Sequence, residues 1–251
     1  MHAILMCGGF ATRLEPITYF IPKPLLPIGV GGKPIIEYIL DDVIASGIKD
    51  VVITANSKFI NHFEYWSKHR LDGNGARIKF VVEKTMHNNE KFGQVKGISH
   101  AIEKAGIKDD IIVIAGDNLF DFSIKDIISH FERTKRPVVG LYDIKSKDLA
   151  KKLGVVEING TKITAFAEKP PEPKSTLIST GIYVIPKEML GKFNEYLGNG
   201  KNPDAIGHFI EWLITNTEVE GHVYSGKWHD IGTLEIYRQV FDEYSAAHKQ
   251  G

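Results

Sequence analysis

The chain has 251 residues, 43% hydrophobic and 25% charged, with a formal net charge of +0. This suits an ordinary globular protein of one large α/β domain or two small ones, and it offers no basic excess for nucleic acid or an anionic membrane. A single cysteine, Cys7, excludes an internal disulfide framework and a multi-cysteine metal site; the N-terminus lacks signal-peptide features and no apolar run approaches ~18 residues, so a cytoplasmic protein is expected.

The apolar run His2 to Cys7 predicts a first buried strand, with Cys7 as a small hydrophobe rather than a nucleophile. Gly8 and Gly9 at its end permit a sharp turn that aims bare N–H groups at a ligand. Arg13 and Lys23 add two cations to the same excursion, a combination suited to a polyphosphate. Pro34 opens a helix to Ala45 that Gly47 stops. Val51–Thr54 and Ile78–Val82 read as strands around an amphipathic segment from Lys58 to Arg70. A helix is expected from Gly93 to Ala105, ended by Gly106. Ile111–Ala115 is fully apolar, as in a parallel strand covered on both faces. Ser123 caps another helix, and Pro137–Tyr142 is a further strand.

The second half changes texture. Val155–Ile158, Asn159-Gly160 and Ile163–Phe166 predict a hairpin with a type I′ turn. Pro170-Pro171-Glu172-Pro173 is a stiff loop. Ile182–Ile185 is a strand, Pro186 begins a helix, and Asp204 is positioned to cap a helix from Ala205 to Thr215. A last helix from Thr233 carries Tyr237, Val240, Phe241 and Tyr244 on one face, a stripe for docking on the protein's own body. The expected fold is α/β: a doubly wound, mostly parallel central sheet with helices on both faces and a smaller half containing the β-hairpin. It forms a single domain over residues 1–251.

Two phosphate motifs are absent. Gly32-Lys33 is followed by Pro34, so there is no Walker loop, and the run from Gly29 and Gly31 also ends at Pro34 instead of completing G-x-G-x-x-G. Asp117 and Asp121 are too far apart for the D-x-D of a GT-A glycosyltransferase. The sequence from Gly8-Gly9 through Thr12-Arg13-Leu14 to Pro16, followed by Pro22-Lys23-Pro24, resembles the signature of the sugar-phosphate nucleotidyltransferases. Further matches follow in order: Gly116-Asp117-Asn118, Leu153-Gly154-Val155-Val156, Glu168-Lys169-Pro170, Thr180-Gly181-Ile182-Tyr183 and Trp228-His229-Asp230-Ile231-Gly232-Thr233. No hexapeptide repeat, which some members carry at the C-terminus, is present.

The resemblance implies transfer of a nucleoside monophosphate from an NTP to a sugar-1-phosphate, with release of pyrophosphate. It assigns Met6, Gly8, Gly9, Arg13, Lys23, Glu83 and Gly93 to the nucleotide, with Arg13 and Lys23 also catalytic. It assigns Gly154, Glu168, Lys169 and Thr180 to the sugar phosphate, and Asp117 and Asp230 to Mg2+. Residues 1–145 would mainly hold the nucleotide, and 146–251 the sugar, with the C-terminal helix. The implied partners are small-molecule substrates, not nucleic acid or membrane, and a homo-oligomer stays open. The overall likeness ranks dTTP or UTP with glucose-1-phosphate first. Glu83, an acceptor that suits guanine, keeps GTP with mannose-1-phosphate second. A non-catalytic regulatory member should have lost Arg13, Lys23, Asp117 or Asp230, and all four are present. A cytidylyltransferase for a non-sugar phosphate is disfavoured by Glu168-Lys169 with Gly154. Three departures stand out: Ala11 and Lys96 where the family has other residues, and a longer Lys84–Phe92 connection.

Overall fold

In chain order the strands and helices begin β1 (His2–Met6), β2 (Pro27–Ile28), β3 (Lys33–Pro34), α1 (Ile35–Ala45), β4 (Asp50–Asn56), α2 (Ile60–Arg70), β5 (Arg77–Glu83) and α3 (Gln94–Ala105). They continue with β6 (Ile111–Ala115), β7 (Asn118–Phe120), α4 (Ile124–Thr134), β8 (Val138–Asp143), α5 (Lys147–Ala150), β9 (Gly154–Asn159) and β10 (Lys162–Glu168). The remainder is β11 (Leu177–Ile185), α6 (Gly191–Gly198), α7 (Ile206–Leu213), β12 (Glu220–Tyr224), β13 (Trp228–Asp230) and α8 (Leu234–Ala247). This computed structural model describes residues 1–70 and 75–247; residues 71–74 and 248–251 of the expected domain lie outside it.

Nine strands form one sheet in the order β5-β4-β1-β6-β11-β8-β12-β10-β9. Strict alternation along the strands splits the core. Ala3, Leu5, Ile53, Ile112 and Ile114 face α1, α2, α4 and α8, whereas Ile4, Val52 and Val113 face α3, α6 and α7. Helices therefore cover both faces, as expected of buried parallel strands. No helix among the described residues is long and apolar enough to cross a membrane.

The expectation of a mostly parallel sheet is corrected. β5, β4, β1 and β6 are parallel, and β8 is parallel to β12. β11, however, runs antiparallel between β6 and β8, and β9 and β10 are antiparallel to each other and to their neighbours β11 and β12. The two-residue turn between β9 and β10 makes those strands antiparallel, because parallel neighbours would require a longer crossover, and β11 enters antiparallel between β6 and β8.

Two local expectations also change. The hairpin turn is Gly160-Thr161, since Asn159 pairs with Lys162. Only Gly160 has positive φ (62°), which fits a type II′ turn in place of I′. Asp204 does not cap α7. The cap position is Ala205, and the Ile206 N–H donates to Gln94 Oε1 of α3 at 2.9 Å. Ser123 does cap α4, accepting from the Lys125 N–H at 3.2 Å.

Candidate active site

The parallel register brings the carboxyl ends of β1, β4, β5 and β6 to one edge. Met6 lies beside Thr54 and Ala115, and Asn56 beside Glu83. Ligands of open α/β sheets bind at this edge, and here a cleft of about 450 Å³ opens. Its walls include Met6, Gly8, Gly9, Arg13, Lys23, Glu83, Gly93, Asp117, Glu168 and Lys169, ten of the thirteen residues expected from the sequence.

The loop after β1 is anchored before it reaches the cleft. The Cys7 N–H donates to the Thr54 carbonyl and hydroxyl, and Asn56 Nδ2 donates to the Gly8 carbonyl at 3.1 Å. Ala11 then adopts a left-handed conformation (φ 50°, ψ 42°), and its carbonyl accepts from Thr18 Oγ1 at 2.9 Å. Alanine is strained there. Ala11→Gly is expected to raise unfolding free energy by about 0.5–1 kcal/mol, read from the urea midpoint. A lower midpoint would show that the Ala11 methyl contributes more than the strain costs.

The carboxylates come together through a two-stranded ladder that the sequence did not predict. β7 pairs with β13, with Asp230 opposite Asn118, and the Ile231 N–H donates to the Asp117 carbonyl at 3.3 Å. Lys23, nearly buried, lies between the strands. Its Nζ is 2.5 Å from Asp117 Oδ2 and donates to the Ile231 carbonyl at 2.8 Å. Burial, followed by the Asp117 charge, pushes the Asp230 carboxyl above the ordinary range, and Lys23, Arg13 and Lys169 pull it back. Two acidic groups and three cations thus act on one point.

Thr180 is not in the cleft wall. It is fully buried, and its hydroxyl donates to the Gly140 carbonyl at 2.9 Å. Its own carbonyl accepts from Asn118 Nδ2 at 2.5 Å and from Trp228 Nε1 at 3.3 Å. It therefore ties together the strands beside Asp117 and Asp230. Gly154 is likewise one layer back: a Cβ there would fall 2.7 Å from the Phe166 ring and 3.2 Å from Glu168 Oε2. Its absence leaves room for the Glu168 carboxylate. Lys169, beside Glu168 at 3.6 Å, holds a left-handed φ of 48°, a strained conformation that marks functional sites.

Glu83 ends β5 in the cleft at 4% exposure. A Cβ on Gly8 would lie 2.5 Å from its Oε1, and one on Gly97 2.9 Å. Burial pushes its carboxyl up to about 7. Gly93, at φ 80°, packs against the Pro203 carbonyl, where a Cβ would be only 2.4 Å away. The longer connection forms a short turn at Asn88–Glu90 and brings Asn88 and Lys91 into the cleft wall. Lys91 pairs with Asp204 across the opening at 2.7 Å. Neither was expected at the site, because an insertion has no counterpart in the family pattern. Lys96 is exposed over the Phe92 ring, outside the cleft wall.

The site's donor set fits a hard divalent cation. Asp117 and Asp230 repel each other when both are ionised. No group of three or more histidine, cysteine or carboxylate ligands occurs among the described residues. Two carboxylates leave most of a Mg2+ shell to water and phosphate oxygens.

Comparison with known proteins agrees with this geometry. Residues 2–247 match the family model described as nucleotidyl transferase. The chain is 31% identical over 235 residues to the bifunctional protein GlmU of Methanococcus aeolicus, covering 92% of this chain and 51% of that protein. It is 28% identical over 243 residues to a Sulfolobus acidocaldarius protein named "Putative mannose-1-phosphate guanyltransferase", covering 96% and 62%. The chain thus spans about half to three-fifths of the length of these relatives. A crystal structure of UDP-glucose pyrophosphorylase with UDP-glucose superposes with a TM-score of 0.82 at 20% identity, covering 100% of this chain and 99% of that one; this likeness concerns the fold. By the extent of the family match, the chain belongs to the nucleotidyl transferase family.

Proposed function

We propose that the protein transfers a nucleoside monophosphate from an NTP to a sugar-1-phosphate. The observation that carries this reading is the cluster of Asp117, Arg13, Lys23 and Lys169 in the cleft wall, with Asp230 just outside that wall and under the charge of all four, and with Glu83 at the β5 end. A sugar-1-phosphate oxygen attacks the α-phosphorus in line. A new P–O bond forms, the α–β bridging P–O bond breaks, and pyrophosphate leaves. The nucleophile is already an anion, so positioning and charge neutralisation suffice. Gly8 and Gly9 offer backbone N–H groups to the phosphates, and Arg13 and Lys23 offset triphosphate charge. Glu168 accepts from sugar hydroxyls and Lys169 attracts the sugar phosphate. Asp117 and Asp230 would hold Mg2+, which when bound supplies charge neutralisation at phosphate oxygens.

The first substrate pairing is dTTP or UTP with glucose-1-phosphate. GTP with mannose-1-phosphate is a second reading, favoured by Glu83, whose ionised form matches two adjacent N–H donors. The test is a matrix of triphosphates against sugar-1-phosphates, read as pyrophosphate release with Mg2+ and repeated with Glu168→Gln. Turnover is expected only with both substrates, and Glu168→Gln should raise KM for the sugar phosphate more than for the triphosphate. Release without any sugar phosphate, or a Glu168→Gln effect confined to the triphosphate, would contradict this map.

A further inference from the structure

Glu83 is an uncommon group to leave in a cleft wall. No side-chain hydrogen bond or ion pair reaches its carboxyl among the described residues, although it is 4% exposed. Gly8 and Gly97 press on it from two sides, and Met6 Cε lies against the same Gly97 position. A buried carboxyl without a partner costs stability. The same isolation keeps all its hydrogen-bonding capacity for whatever enters the cleft.

Resting on the nucleotidyl-transfer reading, we infer that Glu83 sets base preference through its own proton. Ionised, it selects guanine; protonated, it also admits the imide bases uracil and thymine. A carboxylate only accepts hydrogen bonds. Guanine presents adjacent N1–H and N2–H donors and can meet both oxygens. An imide presents one N–H flanked by carbonyls, so the second carboxylate oxygen faces another acceptor. A carboxylic acid removes that conflict, accepting from the imide N–H and donating its own O–H to the neighbouring carbonyl. Burial holds the group at about 7, so both forms are populated near neutrality. Above that value the carboxylate dominates and imide bases lose; below it the acid dominates and they gain.

The neighbours do not set this switch. From the loop after β1 the Cys7 thiol approaches, and burial raises it well above its ordinary value, so it stays neutral. From β4 come the uncharged Thr54 and Asn56. From α3 come Gln94, whose Oε1 is taken by the Ile206 N–H, and His100, whose Nε2 is 3.3 Å from the Val82 carbonyl. Lys91 on the inserted connection is paired with Asp204, and Asp117 on the far wall with Lys23.

The experiment measures kcat/KM for GTP and UTP from about pH 5.5 to 8.5, and the corresponding Kd values by equilibrium titration. Effects on the triphosphate, sugar phosphate and metal are common to both nucleotides and cancel in the ratio. The GTP-to-UTP ratio is expected to rise at least about tenfold across the range. It should become flat in Glu83→Gln, whose amide offers one donor and one acceptor at every pH. A flat ratio in the wild type overturns the inference. A slope that survives in Glu83→Gln also overturns it. Absence of turnover with every triphosphate would instead refute nucleotidyl transfer, and the Kd ratio would still decide the role of Glu83.

Discussion

Asp230→Asn should abolish most activity while leaving the fold as stable as before, or more so. Asp230 is half-buried near Asp117, and both desolvation and that neighbour disfavour its ionised form. Folding therefore carries a cost that removing the charge relieves. We expect turnover to fall by roughly 10²–10⁴, because a metal held by one carboxylate loses much of its charge-stabilising role. The unfolding free energy, read from the urea midpoint, should stay level or rise by up to about 1 kcal/mol. Activity within tenfold of wild type would remove Asp230 from the metal site. Loss of stability together with loss of activity would make it a structural residue.

Lys23→Met should damage both function and stability. The substitution keeps the apolar stem but removes an ammonium that bridges Asp117 Oδ2 and the Ile231 carbonyl. Activity is expected to drop on the order of 10²–10³, since a preorganised cation facing the phosphates is lost. Asp117 is 35% exposed on its side chain, so water takes over part of the lost pairing. The stability loss should then be about 1–2 kcal/mol, short of that for a fully buried pair. It should appear as a lower urea midpoint with an unchanged slope. An unaltered midpoint would mean that the bridge contributes nothing to folding. The opposite stability signs expected for Asp230→Asn and Lys23→Met make the two variants a matched pair.

The chemistry of the site was more legible in the sequence than its architecture. Gly8, Arg13, Lys23, Asp117, Glu168 and Lys169 were singled out by residue type and motif, and all six line one cleft. The first half of the sheet was readable because parallel buried strands are continuous apolar runs. The β7–β13 ladder was not. Each strand has three residues, and Trp228 and Asn118 obey no period that a sequence window detects. β12 was missed for a related reason: Gly221 and His222 interrupt its alternation. Thr180 was assigned to the sugar pocket from motif likeness. Its hydroxyl turned out to serve β8, and its carbonyl serves the strands beside the two carboxylates. A motif match identifies the neighbourhood of a residue, while its direction depends on a register break in β11 between Ser179 and Tyr183.

The place of β12 in the sheet has a consequence for biosynthesis. β8 is complete at Asp143, yet the strand that covers its outer side arrives about 80 residues later. At roughly 5–20 residues per second, the emerging polypeptide exposes that row of unpaired amides and carbonyls for several seconds. Such a row is a template for other extended chains. The interval is spanned by the β9–β10 hairpin and β11, which attach to each other through Ile178 and Val155 before β12 exists. A nascent chain stalled before Glu220 should therefore be a stronger client of holding chaperones than one stalled just after Tyr224.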